Sequence, residues 1–129
     1  MAQSMNTKVD LTIKATSFHS LTVYGDLMIG DKALEFYNER NVEDYIQIPW
    51  TEVDRIAAEV VFGKIITRFA VMTKQNGNFS FSTRDNKKTL RAVREYVPAD
   101  HMIKSTSFFD VIRLGLARLW KIVTFRGGE

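Results

Sequence analysis

Short segments in which apolar and polar residues alternate, separated by turn-forming residues, run along most of the chain. Phe79 and Phe81 point to one side of their segment, and Leu11 and Ile13 do the same in another, as in strands with one buried face. The pair Asn76-Gly77 gives the strongest hairpin signal, because it tolerates the positive φ angles of a primed turn. This pattern restricts most of the chain to antiparallel strands joined by short connections.

Five further segments share this strand-like pattern of apolar residues and bounding turns. They are residues 27–29, 33–37, 45–48, 55–62 and 65–73. The first two flank Gly30-Asp31-Lys32, whose turn-prone residues predict a tight hairpin. In total, six or seven antiparallel strands are expected before the pattern changes.

A helix follows the last predicted strand. Asp85 is suited to cap its N-terminus, Leu90, Val93 and Val97 follow at helical spacing, and Pro98 marks its end. One helix after a run of strands predicts an α+β fold. We expect an antiparallel curved sheet or partly open barrel that this helix caps.

The chain divides into two predicted parts: residues 1–98 form a strand-rich domain with its capping helix, and residues 99–129 form a connector and an amphipathic C-terminal helix. The apolar stripe of this second helix contains Phe109, Ile112, Leu116, Leu119, Trp120 and Val123. Its opposite side carries Arg113, Arg118 and Lys121. The helix could pack on its own sheet, dock in a partner's groove or lie at a membrane interface. The first helix is expected to cover the open end of the sheet. Contact of the second helix with a partner or a membrane is therefore favoured over packing on its own sheet.

Positive charge is concentrated late in the chain. Residues 1–60 hold five Lys or Arg and ten Asp or Glu, whereas residues 61–129 hold thirteen and five. The basic patch consists of Lys87, Lys88, Arg91 and Arg94, and the helical spacing of Lys87, Arg91 and Arg94 places these three on one helix face. The patch is either a solvated helix face or a binding site for phosphate-bearing lipid, nucleic acid or an acidic protein. Nucleic acid is disfavoured, because no aromatic residue interleaves with these cations.

The sequence offers little for catalysis. It has no Cys, and its two histidines, His19 and His101, do not form a metal-ligand spacing. No glycine-rich phosphate loop and no nucleophile elbow occur. We therefore expect no enzymatic activity, no metal and no cofactor. No segment has the ~18 uncharged apolar residues of a membrane span and no secretory signal is visible, so a cytoplasmic protein is expected.

Several runs of the sequence together closely resemble one bacterial family, named domain of unknown function 956. They are residues 24–42, 45–50, 90–97, 100–102 and 107–111. Members of that family are encoded in Gram-positive bacteria beside the mannose-family sugar phosphotransferase system (PTS). The resemblance implies an accessory or regulatory protein of that transporter and supplies no catalytic residue. A strand-rich body ending in a helix is also similar to the pleckstrin-homology (PH)/GRAM type of fold, a binding scaffold.

These observations lead to the hypothesis that the chain is a non-enzymatic accessory or regulatory protein that docks on the cytoplasmic membrane face of a mannose-family transporter. Its expected partners are the membrane subunits of that transporter, with the membrane surface itself and a homo-oligomer as alternatives. A peripheral position at the inner face of the cell membrane fits this hypothesis. The alternative function is an enzyme or phospho-acceptor in the sugar phosphotransferase relay, with His19 or His101 receiving the phosphate.

Overall fold

The computed structural model describes residues 3–19 and 21–105. Within them lie eight strands, one α-helix and two short 3₁₀ helices. The strands are β1 Val9–Ser17, β2 Val23–Gly30, β3 Ala33–Asn38, β4 Tyr45–Pro49, β5 Val53–Val61, β6 Ile65–Thr73, β7 Asn78–Thr83 and β8 Met102–Ser105. The α-helix is α1 Asn86–Val93, and the 3₁₀ helices are Trp50–Glu52 and Ala99–His101.

All eight strands belong to one mixed sheet. Their order is β4-β3-β2-β1-β7-β6-β5-β8, which places β4 and β8 at the two edges. Each neighbouring pair is antiparallel except β5 and β8, which run parallel with Ala57 opposite Ile103. Strand β8 can run parallel to β5 because the long segment that contains α1 connects β7 to β8 across the sheet.

The predicted hairpins are confirmed. Strands β2 and β3 pair around Asp31 and Lys32, with Ile29 opposite Leu34. Strands β6 and β7 meet at the Asn76-Gly77 turn, where Gly77 has a φ of 80° and its carbonyl accepts from the Thr73 amide at 3.0 Å. A residue that carries a side chain rarely adopts that φ angle, so glycine suits this position.

The main hydrophobic core lies on one face of the sheet. Phe81 is completely buried at its centre, with its ring centroid 5.8 Å from that of Phe36 and 6.1 Å from that of Phe69. Leu90 and Val93 of α1 add to this core from above the sheet. The reverse face carries a smaller apolar cluster, in which Met72 and Ile103 pack against Ala57 and Ala70.

Helix α1 begins where the sequence predicts and ends earlier. Asp85 caps it, since its side chain accepts a hydrogen bond from the Lys88 amide at 3.1 Å. The helix ends at Val93, and a turn follows in which the Tyr96 amide donates to the Val93 carbonyl at 2.9 Å. Pro98 disfavours helical geometry in the residue before it, which agrees with a turn instead of a continuing helix.

Trp50 connects the start of β5 to the segment after α1. Its ring stacks on Tyr96 with centroids 5.2 Å apart, and its indole nitrogen donates to the Gly30 carbonyl at 2.8 Å. The Tyr96 hydroxyl donates to the Asp10 carboxylate, and this hydrogen bond raises the pKa of Tyr96 to about 12. These contacts attach the chain beyond the helix to β1 and β2.

The prediction of a curved sheet or partly open barrel capped by a helix, of the PH/GRAM type, is wrong. The observed fold is a large mixed sheet that does not close, and its α-helix in the described part of the chain has eight residues. Part of the predicted connector is strand β8, which adds in parallel to the edge of β5. Four residues are too few to show a period-two pattern, so this strand could not be predicted from the sequence. The predicted C-terminal helix lies outside the described residues.

An N-terminal strap, defined here as residues 4–8, crosses the outer face of β2 and β3. The Asn6 side-chain oxygen accepts from the Lys32 and Ala33 amides, both at 2.8 Å. Asp31 accepts from the Thr7 amide at 2.9 Å and the Lys8 amide at 3.0 Å, and from the Thr7 hydroxyl. The strap therefore covers a face of the sheet that would otherwise be exposed to solvent.

We expect Asp31→Asn to reduce stability above about pH 4 and to matter less in acid. The hydrogen bond from the Thr7 hydroxyl, followed by that from the Lys8 amide, lowers the pKa of Asp31 from 3.8 to about 2. A depressed pKa in the folded state gives stability that is present above the unfolded value and lost as the pH falls through the folded value. Urea unfolding of both proteins between about pH 5 and pH 2 should show their difference shrinking. A difference that stays constant over this range would contradict the assignment.

Candidate functional site

A groove with an apolar floor and a basic rim lies between α1, β8 and the ends of β5 and β6. It encloses about 360 Å³, within the range of small-ligand and peptide-anchor pockets. The floor consists of Ala58, Val60, Ile66, Leu90, Ala99, Met102 and Ile103. The rim consists of Lys87, Arg91, Arg94 and Lys104. We refer to these residues together as the basic groove.

The four cations of the basic groove have no acidic partner in the part of the chain that the structure describes. Each is exposed, none takes part in an ion pair there, and no Asp or Glu lines the groove. Converging cations without a carboxylate create a positive potential at this surface. The groove is thus suited to a partner that carries negative charge beside an apolar group.

The spacing of the basic residues along α1 explains why three of them lie together at the rim of the groove. Lys87, Arg91 and Arg94 are four and three residues apart, so they lie on one side of α1 and its final turn, while Leu90 and Val93 enter the core. Three of the four predicted basic-patch residues therefore line the groove, and Lys88 is exposed outside it. What these cations bind stays a prediction.

Lys104 completes the rim and was missed by the sequence reasoning. It lies in β8 opposite Ala58, where the sequence suggested only a connector. The remaining predicted contact residues belong to the segment after β8. They are Phe109, Ile112, Arg113, Leu116, Arg118, Leu119, Trp120, Lys121 and Val123, and all lie outside the described residues.

The turn between β5 and β6, residues 61–65, lies next to the basic groove and is called here the Phe62 tip. Phe62 and Gly63 have φ angles of 56° and 73°, and the Lys64 amide donates to the Val61 carbonyl at 3.2 Å. The Phe62 side chain is 84% exposed and that of Ile65 is 49% exposed. An aromatic residue in this conformation, with its ring in solvent, is unusual for a hairpin turn.

Both histidines lie at the surface with defined contacts. His19 stacks on Phe79 with ring centroids 4.5 Å apart, at a second cavity of about 280 Å³ that Asp44 also lines. Nδ1 of His101 lies 2.9 Å from the Asp54 carbonyl oxygen. Phosphorylation of either ring stays a prediction.

Two features are absent from the residues that the structure describes. No group of three or more His, Asp or Glu side chains there is placed to hold a metal ion. None of the helices among residues 3–19 and 21–105 has the length and apolar character needed to cross a bilayer.

Comparisons with known proteins identify the family and support the fold. The crystal structure of the C-terminal domain of an unknown protein from Leishmania infantum is similar, with a TM-score of 0.61 and 14% sequence identity. The match covers 69% of this chain and 83% of that one, and at this identity it is evidence of a shared fold alone. No curated protein matches the chain. The profile of the family "Domain of unknown function (DUF956)" matches residues 1–116, so the chain belongs to the DUF956 family.

Proposed function

We propose that this protein is a non-enzymatic accessory or regulatory protein of a mannose-family phosphotransferase sugar transporter. It docks on the cytoplasmic face of the transporter's membrane subunits, and the basic groove makes the contact. The family resemblance supports the choice of partner, because members are encoded beside this transport system. The geometry supports the mode of action, because the groove is built for contact with an acidic surface.

The observation that carries the proposal is a set of four cations around an apolar floor, none of which has an acidic partner among residues 3–19 and 21–105. An interface of this composition combines a buried apolar contact with charged groups at its rim. The rim cations speed encounter with an acidic partner and set its orientation, and the apolar contact slows dissociation. An acidic loop with one apolar anchor residue on the transporter would satisfy both parts of the groove.

Affinity capture from native membranes tests the proposal. Full-length protein immobilised on resin should retain the mannose-family membrane subunits, and retention should fall as the salt concentration rises. The variant Lys87→Gln/Arg91→Gln/Arg94→Gln should lose most of this retention. The control Lys32→Gln/Arg40→Gln/Lys74→Gln removes the same charge from exposed positions outside the groove and should retain the subunits normally. Equal capture by both variants would contradict the proposal.

The groove variant should fold as well as the parent protein. Its three cations are exposed and unpaired within the described residues, and such side chains contribute within about 0.5 kcal/mol of unfolding free energy. We therefore expect its thermal midpoint to stay within about 3 °C of the parent value. A scanning-calorimetry midpoint lower by more than about 8 °C would show that these side chains are structural.

A further inference from the structure

We propose that the Phe62 tip and the basic groove together bind the surface of an anionic phospholipid bilayer, with Phe62 entering the interface between headgroups and acyl chains. The inference goes beyond the proposed function, because it adds a contact with the lipid that surrounds the transporter subunit to the contact that the basic groove makes with the subunit itself. It rests on the proposed function only in placing the protein at a membrane.

The Phe62 side chain itself supports a contact outside the protein. Two successive positive φ angles favour Asn-Gly or Gly-Gly, and a bulky aromatic residue is disfavoured at the first position. Within the described residues the ring gains no compensating burial, since it is 84% exposed and does not belong to either apolar cluster. Folding therefore does not explain a phenylalanine here, whereas an apolar environment outside the protein does.

Further apolar residues lie around the tip. Ile65 follows the turn and is half exposed, and Val61 precedes it. The next residues along both strands, Val60 and Ile66, already line the floor of the basic groove. Because side chains alternate along a strand, apolar residues flank the tip on both faces of the hairpin, and those on the α1 face line the groove.

Positive charge borders these apolar residues. Lys64 is exposed in the turn itself, and the four rim cations of the basic groove lie beside Val60 and Ile66. Lys and Arg side chains beside an aromatic residue are the usual composition of interfacial membrane contacts. The apolar group enters the bilayer while the cations contact lipid phosphates, and each cation near an anionic surface strengthens binding about fivefold.

Strand β8 places one of the rim cations near the tip. It runs parallel to β5, with Lys104 opposite Ala58 and Ser105 opposite Glu59, two residues before Val61. Lys104 therefore lies towards the same end of the sheet as the Phe62 tip.

Vesicle sedimentation with the full-length protein tests the proposal. Vesicles made only of lipid, with about 40% phosphatidylglycerol in phosphatidylcholine, should bind the protein, and pure phosphatidylcholine vesicles should bind it at least tenfold more weakly. The variant Phe62→Asn should bind the anionic vesicles about tenfold more weakly than the parent protein. Its thermal midpoint should not fall, because Asn-Gly is the preferred pair for this turn.

Two further variants make the outcome specific. Leu21→Asn removes a side chain that is 76% exposed in the loop between β1 and β2, and it should leave vesicle binding unchanged. Phe62→Trp should retain binding. Normal vesicle binding by Phe62→Asn, or equal binding to neutral and anionic vesicles, would overturn the proposal. Since the vesicles contain no transporter, captured subunits without vesicle binding would overturn this inference and leave the proposed function standing.

Discussion

Replacing Phe81 by Ala is expected to lower the free energy of unfolding by about 3–5 kcal/mol. Phe81 has no exposed surface, and its ring contacts those of both Phe36 and Phe69 in the main core. It belongs to β7, which pairs with β1 on one side and β6 on the other, so the surrounding backbone cannot easily collapse into the cavity. A loss of this size is a large share of the about 5–15 kcal/mol that stabilises a typical domain.

Urea denaturation followed by circular dichroism measures this loss, and Phe62→Ala is the matched control. The control removes the same atoms from a ring that is 84% exposed, so its unfolding free energy should stay within about 0.5 kcal/mol of the parent value. A loss of less than about 1 kcal/mol for Phe81→Ala would mean that the sheet repacks around the cavity.

Local patterns in the sequence predicted the first seven strands because each pattern reflects a local physical cause. The alternation at Phe79 and Phe81 follows from one buried face, and the Asn76-Gly77 turn follows from the φ angle of 80° that Gly77 adopts. These causes act within a few residues, so they can be read from one segment at a time.

The overall fold could not be predicted in the same way, because it depends on contacts between distant segments. Strand β8 exists because Met102 and Ile103 pair with Ile56 and Ala57 at the edge of β5. Nothing in four residues indicates a partner so far away in the sequence. Without β8, six or seven antiparallel strands and one helix suggested the capped-barrel fold that the structure contradicts.

The candidate site was predicted in part for the same reason. Helical spacing brought Lys87, Arg91 and Arg94 together, but Lys104 joins them only through the pairing of β8 with β5. The strand predicted for residues 55–62 ends one residue earlier, so Phe62 lies in the turn with its ring in solvent. A Phe-Gly pair followed by Lys64 was the signal of a turn with an unusual exposed aromatic residue.

Glu35 is buried although the alternation of apolar and polar residues in β3 predicts that it is exposed. In the run 33–37, Glu35 alternates with Leu34 and Phe36, and this pattern predicts that Glu35 lies on the solvent-exposed face of β3. The structure buries Glu35 completely, because the N-terminal strap lies over that face. Burial also raises the pKa of the neighbouring Tyr37, an effect that a hydrogen bond from Gln47 opposes and the charge of Glu35 reinforces.

Glu35→Ala is expected to lower the free energy of unfolding by about 3 kcal/mol, because it removes the acceptor on which the strap depends. The Glu35 carboxylate accepts from the Ser4 hydroxyl at 2.6 Å, the Met5 amide at 2.7 Å and the Asn6 side-chain amide at 3.2 Å. Without it, these donors would face an apolar methyl group in a partly buried site. Glu35→Gln should cost about 2 kcal/mol, because one of its two terminal groups is a donor and cannot accept.

Denaturant unfolding and amide hydrogen exchange together distinguish this role from a general loss of packing. Both Glu35 variants should lose exchange protection first at the Met5 amide, which donates directly to the carboxylate. Glu39→Gln changes an exposed carboxylate whose ion pair with Lys14 spans 3.8 Å, so it should alter the unfolding free energy by less than about 0.5 kcal/mol. If Glu35→Gln behaves like Glu39→Gln, the strap is held by Asn6 and Asp31, and the buried carboxylate contributes little to its attachment.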